Sequence, residues 1–102
     1  LGVVTATILA VTAPFSHALA VDDSEALALM QKHCVTCHAA KPTHESFQDA
    51  PKNITLETIE DVRKHAATIF AQTVQTKAMP LGNQTGMTDE ERARLAQWLR
   101  NQ

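Results

Sequence analysis

The chain has no tyrosine, one tryptophan and three phenylalanines, so there is little large apolar material from which to build a core. It has no basic excess either. Nine Lys and Arg stand against eleven Asp and Glu, for a formal net charge of −2, and no cationic stripe marks a nucleic-acid partner. It has only two cysteines, Cys34 and Cys37, three positions apart. A disulfide between them would close a tiny loop and restrict the unfolded chain little. No stretch alternates as a strand does, and there is neither an internal repeat nor a low-complexity segment. With 102 residues the chain allows one domain. A domain of this size buries only about 60% of its unfolded surface and usually needs a staple such as a disulfide, a metal or a cofactor.

Acids and bases are missing altogether from residues 1–20, "LGVVTATILAVTAPFSHALA". An apolar run to Ala13, a breaking Pro14 and Ala18-Leu19-Ala20 before the acidic "VDDSE" read as the hydrophobic region and cleavage site of a secretory signal peptide, incomplete at its start. The run is shorter than the about 20 apolar residues a membrane-spanning helix needs, and proline interrupts it. Residues 21–102 are then the mature domain, expected in the periplasm.

The mature part reads as all-α, with three main helices. The first runs from about Asp22 to His33, with Asp22 and Glu25 as an approximate capping box and Ala26, Leu27, Met30 and Cys34 along one face. The second runs from about Leu56 to Thr76, with Thr55 as N-cap and Ile59, Val62, Ala66, Ile69, Phe70, Thr73 and Val74 on its apolar face. The third follows Thr88, which forms a capping box with Glu91; Ala93, Leu95, Ala96, Trp98 and Leu99 face inward. Residues 39–54 and 77–87 carry the remaining prolines and glycines and read as loops, the first packing through Phe47 and Ile54.

The two cysteines stand in "HCVTCHAAK", where His38 directly follows Cys37. A redox dithiol of the thioredoxin kind needs a βαβ setting that the sequence lacks. A structural zinc ion needs four ligands, and His33, His44 and His65 form no second pair. A plain disulfide suits an exported protein but leaves His38 unexplained. C-x-x-C-H is the spacing of covalent haem c attachment. Each thiol adds to one vinyl group on the same porphyrin edge, so the cysteines must lie one helical turn apart, and the next residue brings its imidazole to the iron. An electron-transferring iron then calls for a second strong ligand downstream, commonly Met or His. Met79 in "KAMPLG" answers this, 41 residues beyond His38 on a loop stiffened by Pro80. Met87 is its rival and reads better as packing beside the helix cap; His33 and His44 read as solvated, and His65 as the boundary of an apolar face.

The order of leading helix, C-x-x-C-H, loop, helix, Met-Pro loop and closing helix with Trp98 resembles class I cytochrome c over residues 22–102. The resemblance implies that the first and last helices cross, bringing Leu27 and Met30 to Leu95, Trp98 and Leu99. It also implies a proline carbonyl that accepts a hydrogen bond from the haem histidine. Pro51 is the best match, and Pro42 is too close. The usual glycine and aromatic of the first helix are replaced by Ala26 and Met30, which suggests a looser crossing. No tyrosine is available for the propionates. Within this family, "CHAAKPTHESFQDAP" and "MPLGNQTGMTDEERARLAQWL" look like the C-terminal cytochrome domain of bacterial membrane-bound urate oxidases.

The function expected is that of a soluble, monomeric, periplasmic monohaem carrier. Cys34 and Cys37 attach one haem c, His38 and Met79 bind the iron, and Phe47, Ile59, Ile69, Phe70 and Leu81 bury the ring. A six-coordinate iron leaves no place for substrate, so no catalysis is expected from this chain alone. Redox protein partners are expected to dock at the exposed haem edge through a small interface, a membrane oxidase or dehydrogenase among them. Lys32, Lys41, Lys52 and Lys77 either ring that edge or are ordinary solvated lysines. The alternatives are a cytochrome subunit of a urate-oxidising enzyme and a ligand-binding haem protein with Met79 detached.

Overall fold

The computed structural model describes residues 2, 3, 5 and 20–102. The expected signal peptide therefore lies almost wholly outside the described residues. Four α-helices follow in the rest of the chain: α1 (Asp23–His33), α2 (Ile59–Lys64), α3 (Ala66–Phe70) and α4 (Asp89–Arg100). No strand occurs among the described residues.

Helix α1 starts where the sequence places it. The Asp22 carboxylate accepts from the Glu25 N–H at 2.8 Å, which satisfies one of the free amides of the first turn. Ala26, Leu29, Met30 and His33 are its buried residues, whereas Leu27 is only half-buried. Helix α4 carries the full capping box: Thr88 Oγ1 accepts from the Glu91 N–H and Glu91 Oε1 accepts from the Thr88 N–H, both at 3.0 Å. It buries Leu95, Ala96, Trp98 and Leu99 and leaves Ala93 exposed.

Helices α1 and α4 pack together, and polar ties lock the crossing along its length. Arg94 binds the Glu25 carboxylate, with Nη2 at 2.7 Å from Oε1. Trp98 Nε1–H donates to Asp23 Oδ1 at 3.0 Å. Lys32 and His33 both donate to Glu91 Oε2, at 2.9 and 3.0 Å. Between these ties Ala26, Met30 and Leu95 are fully buried and join Leu29, Trp98 and Leu99 in one core with Leu56, Val62, Ile69 and Met87. Met87 thus packs, as expected. The hydrophobic gain from closing this small core is supplemented by ion pairs and hydrogen bonds that the sequence alone does not pair.

The expected single helix from Leu56 to Thr76 is broken. Its N-cap is Thr58 rather than Thr55: Thr58 Oγ1 accepts from the Asp61 N–H at 3.2 Å. Helix α2 stops at His65, whose φ and ψ of −104° and 14° leave the helical region. Helix α3 then leads into one turn of π-helix, Ala71–Gln75. The buried positions stay on one face across the break: Val62 and Ile69 join the core, and Thr73 is 3% exposed.

Candidate functional site

Cys34 caps α1, its N–H donating to the Met30 carbonyl at 2.8 Å. Beyond the cap the chain keeps coiling. The N–H groups of Cys37 and His38 both donate to the Cys34 carbonyl, at 3.2 and 2.8 Å. Cys34, Cys37 and His38 consequently line one cavity of about 80 Å³ together with His33, Phe47, Pro51, Met79, Pro80 and Leu81. No disulfide joins the two cysteines. Burial first, and the neighbouring Cys37 second, push the Cys34 thiol up to about 12.

His38 is held at both ends. Its carbonyl accepts from the Leu56 N–H at 2.9 Å, and its Nδ1 lies 2.9 Å from the Ile54 carbonyl. A carbonyl only accepts, so Nδ1 carries the proton and Nε2 keeps its lone pair. The acceptor is therefore Ile54 and not Pro51. Pro51 opens the 3₁₀ turn Pro51–Asn53 and accepts the Ile54 N–H at 3.1 Å, so it shapes the turn that presents the Ile54 carbonyl. Its own role is as part of the cavity wall.

Met79 enters the same wall from the loop after the π turn. Lys77, at φ +58°, turns the chain out of the helical path. The Met79 N–H donates to the Gln72 carbonyl at 2.9 Å, and the Met79–Pro80 peptide is cis. Downstream, Asn83 bridges the loop, with Nδ2 donating to the Met87 carbonyl at 3.1 Å and Oδ1 accepting from its N–H at 2.9 Å. Gly86, at φ +71°, occupies the left-handed region this closure needs.

A second cavity of about 300 Å³ adjoins the first and shares His33, Cys37, Pro80 and Leu81 with it. Thr36, Thr43, His44, Gln84 and Thr85 complete its wall. The two loops meet at its mouth, where His44 Nε2 lies 2.9 Å from Gln84 Oε1. The Ser46 N–H donates to His44 Nδ1 at 3.1 Å, so Nε2 carries the proton and donates to the glutamine. Thus His44 is a tie between loops rather than a solvated residue.

His33 also departs from expectation. It is 3% exposed and satisfied on both nitrogens, by Thr85 Oγ1 at 2.7 Å and Glu91 Oε2 at 3.0 Å. His33, the Thr88 backbone and Lys32, in that order, hold the Glu91 carboxyl down at about 2. The expected burying residues divide. Phe47 and Leu81 line the cavities, with Leu81 exposed, while Ile69, Ile59 and Phe70 belong to the helix core or pack against it. None of Lys32, Lys41, Lys52 and Lys77 lines either cavity, and Lys32 is paired with Glu91. His65 is half-buried at the helix break, as expected at the boundary of the apolar face.

The donor set fits an iron porphyrin. Two thiols lie a turn apart, an imidazole keeps its Nε2 lone pair, and a thioether stands in the same wall, which is otherwise mostly apolar. Among the described residues no three His, Cys, Asp or Glu side chains assemble as a metal site. The zinc reading therefore has no ligand set there. A family model described as "Cytochrome C oxidase, cbb3-type, subunit III" matches residues 22–99. No curated protein and no solved structure matches the chain.

Proposed function

Because the chain belongs to the family of cytochrome c domains described as cytochrome C oxidase, cbb3-type, subunit III, we propose that it is a periplasmic one-electron carrier whose covalent haem c is attached through Cys34 and Cys37 and ligated by His38 and Met79. Cytochrome c domains carry haem c and exchange electrons with redox proteins. The haem supplies a reversible Fe(III)/Fe(II) couple, which His/Met ligation moves to higher potential. The chain's own residues do the rest. Ile54 fixes the His38 tautomer and directs Nε2 as the donor. Met79 offers a soft sulfur. Phe47, Pro51, Pro80 and Leu81 supply apolar wall. The observation that carries the reading is that His38 and Met79, far apart in sequence, share one cavity wall with both cysteines.

No helix among the described residues is long and apolar enough to cross a membrane. Docking is proposed at the mouth formed by Thr43, His44, Leu81 and Gln84, beside Cys37. The likeness to the urate-oxidase module rests on residues 37–51 and 79–99 and names, at most, a candidate electron donor.

The test is a visible spectrum of protein exported in a host with c-type maturation, wild type beside Met79→Ala. A covalent c-type spectrum with a ferric sulfur-to-iron band, lost in the variant, is the expected result. Rapid carbon monoxide binding by the ferrous wild type would remove Met79 as ligand. A chain that takes up no haem despite working maturation would overturn the reading as a whole.

A further inference from the structure

The π turn Ala71–Gln75 and helix α4 meet at one side chain. Arg92 Nη1 donates to the Thr73 carbonyl at 2.6 Å and to the Met79 carbonyl at 2.9 Å. Nothing in the proposed electron transfer uses Arg92. From this geometry we infer that Arg92 is a positioning residue for the sixth ligand, clamping the Met79 peptide onto carbonyls that the π turn sets free. The inference rests on the reading of Met79 as ligand.

A π turn widens the helix and takes carbonyls out of the regular i→i−4 ladder. Here the Ala71 carbonyl accepts from the Thr76 N–H at 2.9 Å, five residues on. The Gln72 and Thr73 carbonyls are turned to other uses. Gln72 accepts the Met79 N–H at 2.9 Å, and Thr73 accepts from Arg92. The Met79 peptide is therefore held on both sides, its N–H by the π turn and its carbonyl by the guanidinium. Thr73 is 3% exposed and Arg92 is half-buried, so water competes poorly for these bonds. The guanidinium keeps a fixed, planar donor fork. Its anchor is α4, whose capping box lies within the preceding turn. The ligand loop is thus tied to the most strongly capped helix of the fold.

The consequence is measurable without any change in the ligand itself. Met79 detaches and reattaches, and an added ligand binds only the detached form. Its apparent affinity then scales with the detached fraction. Loss of a charge-assisted hydrogen bond in a half-buried setting raises that fraction by about tenfold or more, equivalent to about 1.4 kcal/mol. The experiment uses the haem-loaded protein and two probes, imidazole on the ferric form and carbon monoxide on the ferrous form. Wild type is compared with Arg92→Met, Arg92→Lys and Met79→Ala. Arg63→Met, which breaks the Arg63 contact with Asp23, serves as a control for general destabilisation.

In Arg92→Met, imidazole affinity and carbon monoxide association rate are expected to rise at least about tenfold, with the sulfur-to-iron band still present without imidazole. Arg92→Lys, which keeps the charge and a point donor, is expected to fold in any case and to fall in between. Arg63→Met is expected to lower the denaturation midpoint while leaving both probes at wild-type values. If the Arg92 variants lower the midpoint but match wild type in both probes, Arg92 is structural only and the inference is overturned. If wild type and Met79→Ala have the same spectrum and the same imidazole affinity, the ligand assignment itself fails, and the inference with it.

Discussion

Glu91→Gln tests whether the junction of α1 and α4 depends on charge or only on shape. In the wild type Glu91 Oε2 receives Lys32 Nζ and His33 Nε2, while Oε1 receives the Thr88 N–H. Glutamine can keep nearly all of this geometry. Its carbonyl oxygen accepts from Thr88, and its amide can donate to His33 if the ring exchanges tautomers and donates to Thr85 instead. What is lost is the negative charge. The Glu91 carboxyl is lowered from 4.5 to about 2, with His33 the largest cause. Taken at face value that shift corresponds to about 3.4 kcal/mol. The Glu91 side chain is 19% exposed and Lys32 is 60% exposed, so solvent screening reduces it to about 2 kcal/mol. Folding lowers this pKa, so the contribution is complete above about 4.5 and is lost as pH falls towards about 2. Urea denaturation of both haem-loaded proteins across pH 7 to 3.5 measures it. The expected gap is about 2 kcal/mol at pH 7, narrower by about 1.2 kcal/mol at pH 3.5 and closing further below. Asp23 and Glu25 are lowered too, but they are common to both proteins and cancel in the difference. A gap of the same size at pH 7 and pH 3.5 would refute the reasoning and assign the loss to packing.

Two further changes probe the same crossing. Met30 is fully buried, so Met30→Ala is expected to cost about 2–5 kcal/mol in chemical denaturation, with the visible spectrum of surviving folded protein unchanged. Trp98→Phe removes the indole N–H that is the leading cause of the lowered Asp23 carboxyl. The Asp23 titration followed by NMR is expected to move up towards its ordinary value, while the Glu25 titration, governed first by Arg94, stays put.

What the sequence shows and what it hides follow a physical division. Asp22, Thr88 and Glu91 are legible because capping is a transaction within four residues, written in side-chain identity. C-x-x-C-H and Met-Pro are legible for the same reason. The break at His65 and the π turn are not, because the apolar period of Val62, Ile69 and Thr73 runs through both without marking either. The family resemblance points to the Pro51 carbonyl as the acceptor for His38, three residues short of Ile54, because a carbonyl belongs to every residue and the side chains do not mark which one is used. Local sequence alone makes His33 look solvated. Its partners Thr85 and Glu91 lie more than fifty positions away, and only the helix crossing brings them together.

Both candidate axial residues are steered by main-chain oxygens: His38 by that of Ile54, and the Met79 peptide by those of Gln72 and, through Arg92, Thr73. Such contacts place few demands on the side chains at those positions. Gln72 is exposed, so a library of substitutions there should leave the ligand loop where it is, whereas position 92 should tolerate almost none. Two related chains could then hold their irons in the same way while sharing few residues at the points that do the holding. Alignment would register those points as variable, and the geometry would pass through them unrecorded.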